Sequence, residues 1–343
     1  MASYRKSDER VQDTLEIGDY TVSFDLSRKK KLRIVFMGTP SFAVPVLEGL
    51  IQNYEVMMVV CQPDRKKNRH GEVIMPDTKV VALKNGISVF QPEDIRTNYM
   101  PILELMPDMI VTCAYGQFIP KEIIDYPKYG CINVHGSLLP SYRGGAPIHW
   151  ALIHGDKVTG VTIMKTSLKM DAGDIILKKS TSIDDDENLD SLYDRLSYLG
   201  RDLLLEAIPT IVDGSAVYTK QDEEKVTFAL NVSKEEGRID FHKSNLDVYN
   251  LIRGLSSVPG AYCFLDSKRM KVYCARLDSK NYEGKIGEIV SIGDDSFSVL
   301  CGTGAIEFLD IGLEGKKRCL VKNFLNGVNR DEWLGKVLND NEE

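Results

Sequence analysis

The chain has 343 residues, which suits two domains of ~150 residues each. Its 43 % hydrophobic and 27 % charged residues are those of an ordinary globular protein, and no apolar run approaches the ~18 residues needed to span a bilayer. A net charge of −7 disfavours a general nucleic-acid binder, so an RNA partner would need a local basic patch. The N-terminal stretch has no apolar signal segment and carries Asp8, Glu9, Asp13 and Glu16, unlike an acid-poor transit peptide; a cytoplasmic, non-membrane protein is expected. Seven scattered cysteines with no C-x-x-C pair argue against disulfides and zinc and for buried thiols in a reducing compartment. No metal-ligand spacing occurs.

Residues 1–31 read as an accessory extension, in which Tyr20 to Leu26 alternates apolar and polar as a half-buried strand does, after a turn at Ile17-Gly18-Asp19. Leu32 to Met37 is a short apolar strand ending at Gly38-Thr39-Pro40. A helix from Phe42 to Asn53 follows, with Pro45 in its first turn. Further strands are expected at Glu55 to Cys61, Ile87 to Phe90, Met109 to Ala114 and Cys131 to Val134. Helices separate them at Asp77 to Asn85, before Pro107, and at Pro120 to Asp125. Continuous apolar strands alternating with helices predict an α/β fold with a Rossmann-like, mostly parallel, buried sheet. Ligands of such sheets sit outside the carboxyl ends of the strands, where Gly38, Gln62, Tyr115, Asn133 and His135 all lie.

Gly160 to Met164 and Asp174 to Lys178 extend the sheet, and Leu189 to Ile208 is an amphipathic helix with a leucine face. The pattern then changes. Residues 210–233 read as a linker, and 234–343 as a helix followed by five short strands punctuated by Gly and Asp, the signature of a small OB-like barrel. The expected domains are thus 1–31, 32–209 and 234–343, joined across that linker.

The chemistry concentrates between Gly130 and Ile176. Asn133 and His135 stand two apart at a strand end, so alternation points both side chains the same way. Asp171 sits in the turn Met170-Asp171-Ala172-Gly173-Asp174. A lone histidine after a strand is more often structural, and an aspartate before Ala-Gly can simply close an Asx turn. Together, however, an amide, an imidazole and a carboxylate make a proton-transfer site: the carboxylate raises the imidazole pKa and fixes its tautomer, and the amide donates to an oxygen gaining negative charge. No G-x-S-x-G is present and no Cys stands beside a His, so nucleophilic catalysis has little support. The first loop is not G-x-G-x-x-G, which disfavours a dinucleotide-dependent dehydrogenase.

Long stretches carry a resemblance: RIVFMGTPSFA, QPDR, MPDTKVVA, AYGQFIPKEII, GCINVHGSLLPSYRGGAPI, GVTIMKTSLKMDAGDI, KVTFALNVSKEEGRIDF and VPGAY. With them the chain resembles the methionyl-tRNA formyltransferases, a branch of the folate-dependent formyltransferases. The resemblance implies a formyl donor, 10-formyltetrahydrofolate, and an acceptor, the α-amino group of methionyl initiator tRNA. It implies catalytic roles for Asn133, His135 and Asp171. It implies folate binding by Ser137, Leu138, Leu139 and Pro140, together with Tyr115 and Gly116. It also implies tRNA contacts from the basic loop at Arg65, Lys67 and Arg69 and a C-terminal barrel that binds tRNA. A monomer without metal is expected. Two features depart from the family pattern: residues before Lys31, and Ser256-Ser257-Val258-Pro259 in place of Asn-Pro-Trp-Pro. A folate-dependent enzyme acting on a small amine, such as an amino sugar, is the alternative.

Overall fold

The structure, a computed structural model, describes residues 12–17, 20–25, 31–66 and 73–339. In the extension, strands β1 (Gln12–Ile17) and β2 (Tyr20–Asp25) pair antiparallel. The first large sheet takes β3 (Arg33–Gly38) and β4 (Glu55–Val60). The short β5 (Arg65–Lys66) and β6 (Val73–Ile74) pair only with each other. The large sheet continues with β7 (Ser88–Phe90), β8 (Met109–Cys113), β9 (Cys131–His135), β10 (Val158–Lys165) and β11 (Ile175–Ser182). Its order is β11-β10-β9-β8-β3-β4-β7, parallel from β9 to β7 and antiparallel at the other edge. The expectation of an α/β fold with a mostly parallel sheet agrees with this.

Strand order reverses at β3, whose neighbours β4 and β8 lie on opposite sides of it. The chain ends of β3, β8 and β9 therefore open into one crevice, where ligands of such sheets sit. Buried apolar side chains cover both faces. One layer includes Ile34, Phe36, Val111 and Val134 with leucines of the long helix, and the other Val35, Met37, Val60 and Ile110.

Helices α1 (Val44–Asn53), α2 (Asp77–Lys84), α3 (Met100–Glu104), α4 (Lys121–Asp125) and α5 (Pro147–Ile153) fill the connections. The long α6 (Leu189–Asp213) starts at a capping box on Asn188 and runs through Pro209 to a left-handed Gly214. A proline inside a helix removes one backbone bond. Here burial of Ala207, Ile208 and Ile211 in the core holds the last turns helical.

After α7 (Asn245–Gly254) the second sheet comprises β12 (Ala261–Leu265), β13 (Lys268–Asp278), β14 (Ile289–Ile292), β15 (Phe297–Leu300), β16 (Ala305–Leu313) and β17 (Cys319–Leu320), all antiparallel. The path runs β12-β13-β16-β15-β14. Residues 336–339 then join its two edges. Ile289 donates to Lys336 O and Leu338 to Gly287 O, while Asn339 donates to Phe264 O and accepts from the Phe264 amide at its side chain. The sheet closes on itself through this C-terminal stretch, which leaves few edge groups unpaired.

Helix α6 backs the strand that carries the catalytic candidates. A Cβ at Gly200 would fall 2.8 Å from Val134 Cγ1, and Val134 lies between Asn133 and His135. Helix propensity alone would favour Ala over Gly by about 1 kcal/mol. We expect the reverse sign: Gly200→Ala should destabilise by about 1–3 kcal/mol in denaturant titrations, as overpacking does. A stabilised variant would mean that the sheet yields freely at this point.

Candidate active site

The crevice at the strand ends is a cavity of about 610 Å³. Its walls are Ala114 to Ile119 after β8, Asn133 to Gly136 at the end of β9, Gly144 to His149 before and in α5, and residues from Met164 to Asp171 after β10. Leu230 and Asn231, from the stretch between α6 and α7, close one side. The size is that of a small-molecule site, and the lining is apolar with few polar groups, as such sites are.

Asn133, His135 and Asp171 all line this cavity. Asn133 Oδ1 accepts a 2.8 Å hydrogen bond from the Thr112 hydroxyl on the neighbouring strand. That bond decides which way the amide faces, and leaves its NH2 group to donate elsewhere. His135 is 6 % exposed, and its Nε2 lies 2.9 Å from the Tyr142 carbonyl oxygen. A carbonyl only accepts, so Nε2 carries the hydrogen and Nδ1 is the nitrogen available to take a proton. Asp171 Oδ1 stands 3.7 Å from Nδ1, an electrostatic neighbour rather than a hydrogen-bond partner. The ring is thus held by a backbone carbonyl, with the carboxylate facing the other nitrogen.

Asp171 is fixed from a second side, because its Oδ2 accepts from the Gly144 amide at 2.8 Å. Gly144 has φ 128°, and a Cβ there would stand 2.5 Å from Ala229 O. Only glycine meets both demands without strain.

The stretch between the two sheets is strapped across this loop. Tyr142 donates its amide to Thr227 Oγ1, Arg143 to Thr227 O, and Ala146 to Ala229 O, while Ala229 donates back to Arg143 O. Arg143 is fully buried, and its guanidinium donates to Gln221 Oε1 and to both Glu223 oxygens. Hydrogen bonds from Arg143, and then from Lys169, pull the Glu223 carboxyl down to about 2. The Tyr142 hydroxyl donates to Asp156 Oδ2, and Tyr142 stacks on His154. Burial pushes the His149 pKa down, which favours its neutral form at the cavity wall.

The other predicted residues divide. Tyr115 and Gly116 line the cavity, although the Tyr115 ring packs into the core beside Val60 and Ile110 and its carbonyl accepts from Thr39 and Gln62 side chains. Ser137, Leu138, Leu139 and Pro140 are not among the cavity-lining residues. Ser137 and Leu139 are buried; the Thr162 hydroxyl donates to Ser137 O and accepts from the Leu139 amide, which ties this loop to β10. Arg65 is exposed at the base of the β5–β6 pair, where Lys79 binds Asp64 and Gln91 below it. Lys67 and Arg69 lie outside the described residues. Five of the seven cysteines are buried, and burial pushes the Cys61, Cys113 and Cys131 thiols up, away from nucleophilic use. Among the described residues no group of three or more His, Cys, Asp or Glu is placed to hold a metal ion, and no helix is long and apolar enough to cross a membrane.

Reasoning from sequence missed Thr112, Tyr142, Arg143, Gln221 and Thr227. A charged residue inside the Gly-rich loop was a visible signal for Arg143. The strap offered none, since its partners lie about eighty residues away in the chain.

Comparison with known proteins shows the family. Residues 32–208 match the formyl transferase family, and residues 231–329 match the formyl transferase C-terminal domain. The chain belongs to the methionyl-tRNA formyltransferase family. A methionyl-tRNA formyltransferase of Citrifermentans bemidjiense is 46 % identical over 299 residues, covering 86 % of this chain and 93 % of the relative. One from Bacillus licheniformis is 46 % identical over 300 residues, covering 86 % and 95 %. Among solved structures, HypX from Aquifex aeolicus in complex with tetrahydrofolic acid is similar in fold, with a TM-score of 0.61 and 18 % identity over 87 % of this chain and 47 % of that one.

Because its pKa is depressed, Glu223 contributes stability above its ordinary value of 4.5, and this is lost as pH falls toward about 2. Melting curves of wild type and Glu223→Gln should therefore differ at neutral pH and converge as pH drops through that window. A gap that stays constant would place its origin outside the Arg143 pair.

Proposed function

We propose that this chain transfers the formyl group of 10-formyltetrahydrofolate to the α-amino group of methionyl initiator tRNA, the step that prepares that tRNA for translation initiation. The observation that carries the reading is the convergence of Asn133, His135 and Asp171 on one cavity, in a chain 46 % identical to enzymes of that name. The cavity suits a folate: it is of ligand size, has mostly apolar walls, and is lined by residues 114–119 and by residues between 164 and 171. Bound there, the folate supplies the formyl carbon.

Each residue then has one task. Asn133, its Oδ1 engaged by Thr112, donates an amide N–H to the formyl oxygen as negative charge gathers on it. His135 Nδ1 takes the proton of the attacking amine, since Nε2 is already committed to Tyr142 O. The Asp171 carboxylate, 3.7 Å away, stabilises the imidazolium so formed. His135 then returns the proton to the departing nitrogen. Gly136, Ile148 and Tyr193 line the same cavity and help to exclude water. Tyr115 and Gly116 contact the donor, and Ser137, Leu138, Leu139 and Pro140 form the folate-binding segment that follows β9.

Arg65, Lys67 and Arg69 are proposed phosphate contacts, which orient an acceptor stem without reading its sequence. Neutralising them should flatten the salt dependence of tRNA binding by about one slope unit per contact.

The main test is an acceptor assay with 10-formyltetrahydrofolate and charged initiator tRNA, charged elongator tRNA or a free amino sugar. We expect formylation of the initiator tRNA, and a loss of about 10²–10⁴-fold in single-turnover rate for His135→Ala and Asp171→Ala with folate binding retained. Formylation of the sugar alone would overturn the proposed acceptor, and a near-wild-type rate in either variant would overturn its role.

A further inference from the structure

Asp171 is held in a backbone conformation that a residue with a Cβ rarely adopts, at φ 48°. Its carboxylate can face His135 only while that turn is kept. Within the turn the backbone bond from Ala172 to Lys169 O is long, at 3.3 Å, and the turn is closed at its end by Lys165 donating to Asp174 O at 2.9 Å. The Gly144 amide holds the carboxylate itself, and a restraint on the turn's carbonyls comes from fifty residues away. Gln221 Nε2 donates to Asp171 O at 2.7 Å and to Gly173 O at 2.8 Å. Gln221 Oε1 accepts from Arg143 Nε at 3.0 Å and from its terminal nitrogen at 2.9 Å.

The direction of this amide is not ambiguous. A guanidinium has only donors, so the oxygen must face Arg143, and the NH2 must then face the two carbonyls. Every hydrogen-bonding atom of the Gln221 side chain is engaged. Arg143, fully buried and with its own backbone paired to Thr227 and Ala229, is a rigid base for that clamp.

We propose that Gln221 is a positioning residue for the transfer reaction: it locks the strained turn that aims Asp171 at His135. The inference rests on the function proposed above, and it gives the strap a role in the chemistry. A displacement of about 1 Å in a catalytic group can cost on the order of 100-fold in rate, so a restraint on this turn has kinetic weight. It also links the second domain to the reaction, because the strap bearing Gln221 leads into that domain at residue 231.

Two variants separate the parts of the clamp. Gln221→Glu keeps an acceptor for Arg143 but faces the carbonyls of Asp171 and Gly173 with oxygen. Gln221→Met keeps the side-chain length and removes every hydrogen bond without adding charge. Both should lose single-turnover rate by about tenfold or more, with KM for the folate within about twofold of wild type. In an Asp171→Asn background, Gln221→Met should change the residual rate by less than about twofold, because the two residues act as a unit. Wild-type rates in the single variants, or an undiminished loss in the Asp171→Asn background, would overturn the proposal. A wild type inactive on charged initiator tRNA would instead contradict the proposed function. A crystal structure of Gln221→Met reads the clamp independently of activity. The Asp171 turn should relax and the carboxylate should move from His135; an unchanged turn would sink the idea.

Discussion

The contact between His135 Nε2 and the Tyr142 carbonyl oxygen governs the rest of the site. A carbonyl cannot donate, so it assigns the hydrogen to Nε2 and leaves Nδ1 as the working nitrogen. Had the Asp171 carboxylate taken that bond, the opposite nitrogen would face the reaction. The structure divides the two contacts: a backbone carbonyl holds the ring, and the carboxylate faces Nδ1 from 3.7 Å. Tyr142 itself has φ 62°, so its carbonyl points inward only because the strap at Thr227 and Ala229 holds the loop.

That strap changes how the domains relate. It is laid along the Tyr142–Ala146 loop, it neutralises the buried Arg143 through Glu223, and it supplies Leu230 and Asn231 to the cavity wall. A buried guanidinium without its partners would be costly, so strap and loop are interdependent. The first domain alone would keep Asn133, His135 and Thr112 on their strands, but the loop that carries the Tyr142 carbonyl would lose the strap that holds it.

Much of this architecture was legible in the sequence. The apolar runs at 33–38, 55–60, 109–113 and 131–135 announce buried strands, and the Gly- and Asp-punctuated segments after 261 announce a small antiparallel sheet. Period-two alternation placed Asn133 and His135 on one face. What escaped depends on long-range pairing. Helix α6 continues past Pro209 because its last turns are buried, and residues 336–339 close the second sheet through bonds to strands more than forty residues away. The Ser137–Pro140 loop was expected against the folate by resemblance. Its hydroxyl and amide groups are engaged with Ser141 and Thr162, a pairing that local sequence does not encode.

Catalysis here depends on where the reacting carbon sits. A crystal structure with a stable formylated tetrahydrofolate would show it directly. The account predicts the formyl oxygen within hydrogen-bond distance of Asn133 Nδ2, His135 Nδ1 facing the reacting carbon, and the ring system between the 114–119 and 164–171 walls. A folate bound with its formyl group away from Asn133 and His135 would contradict this.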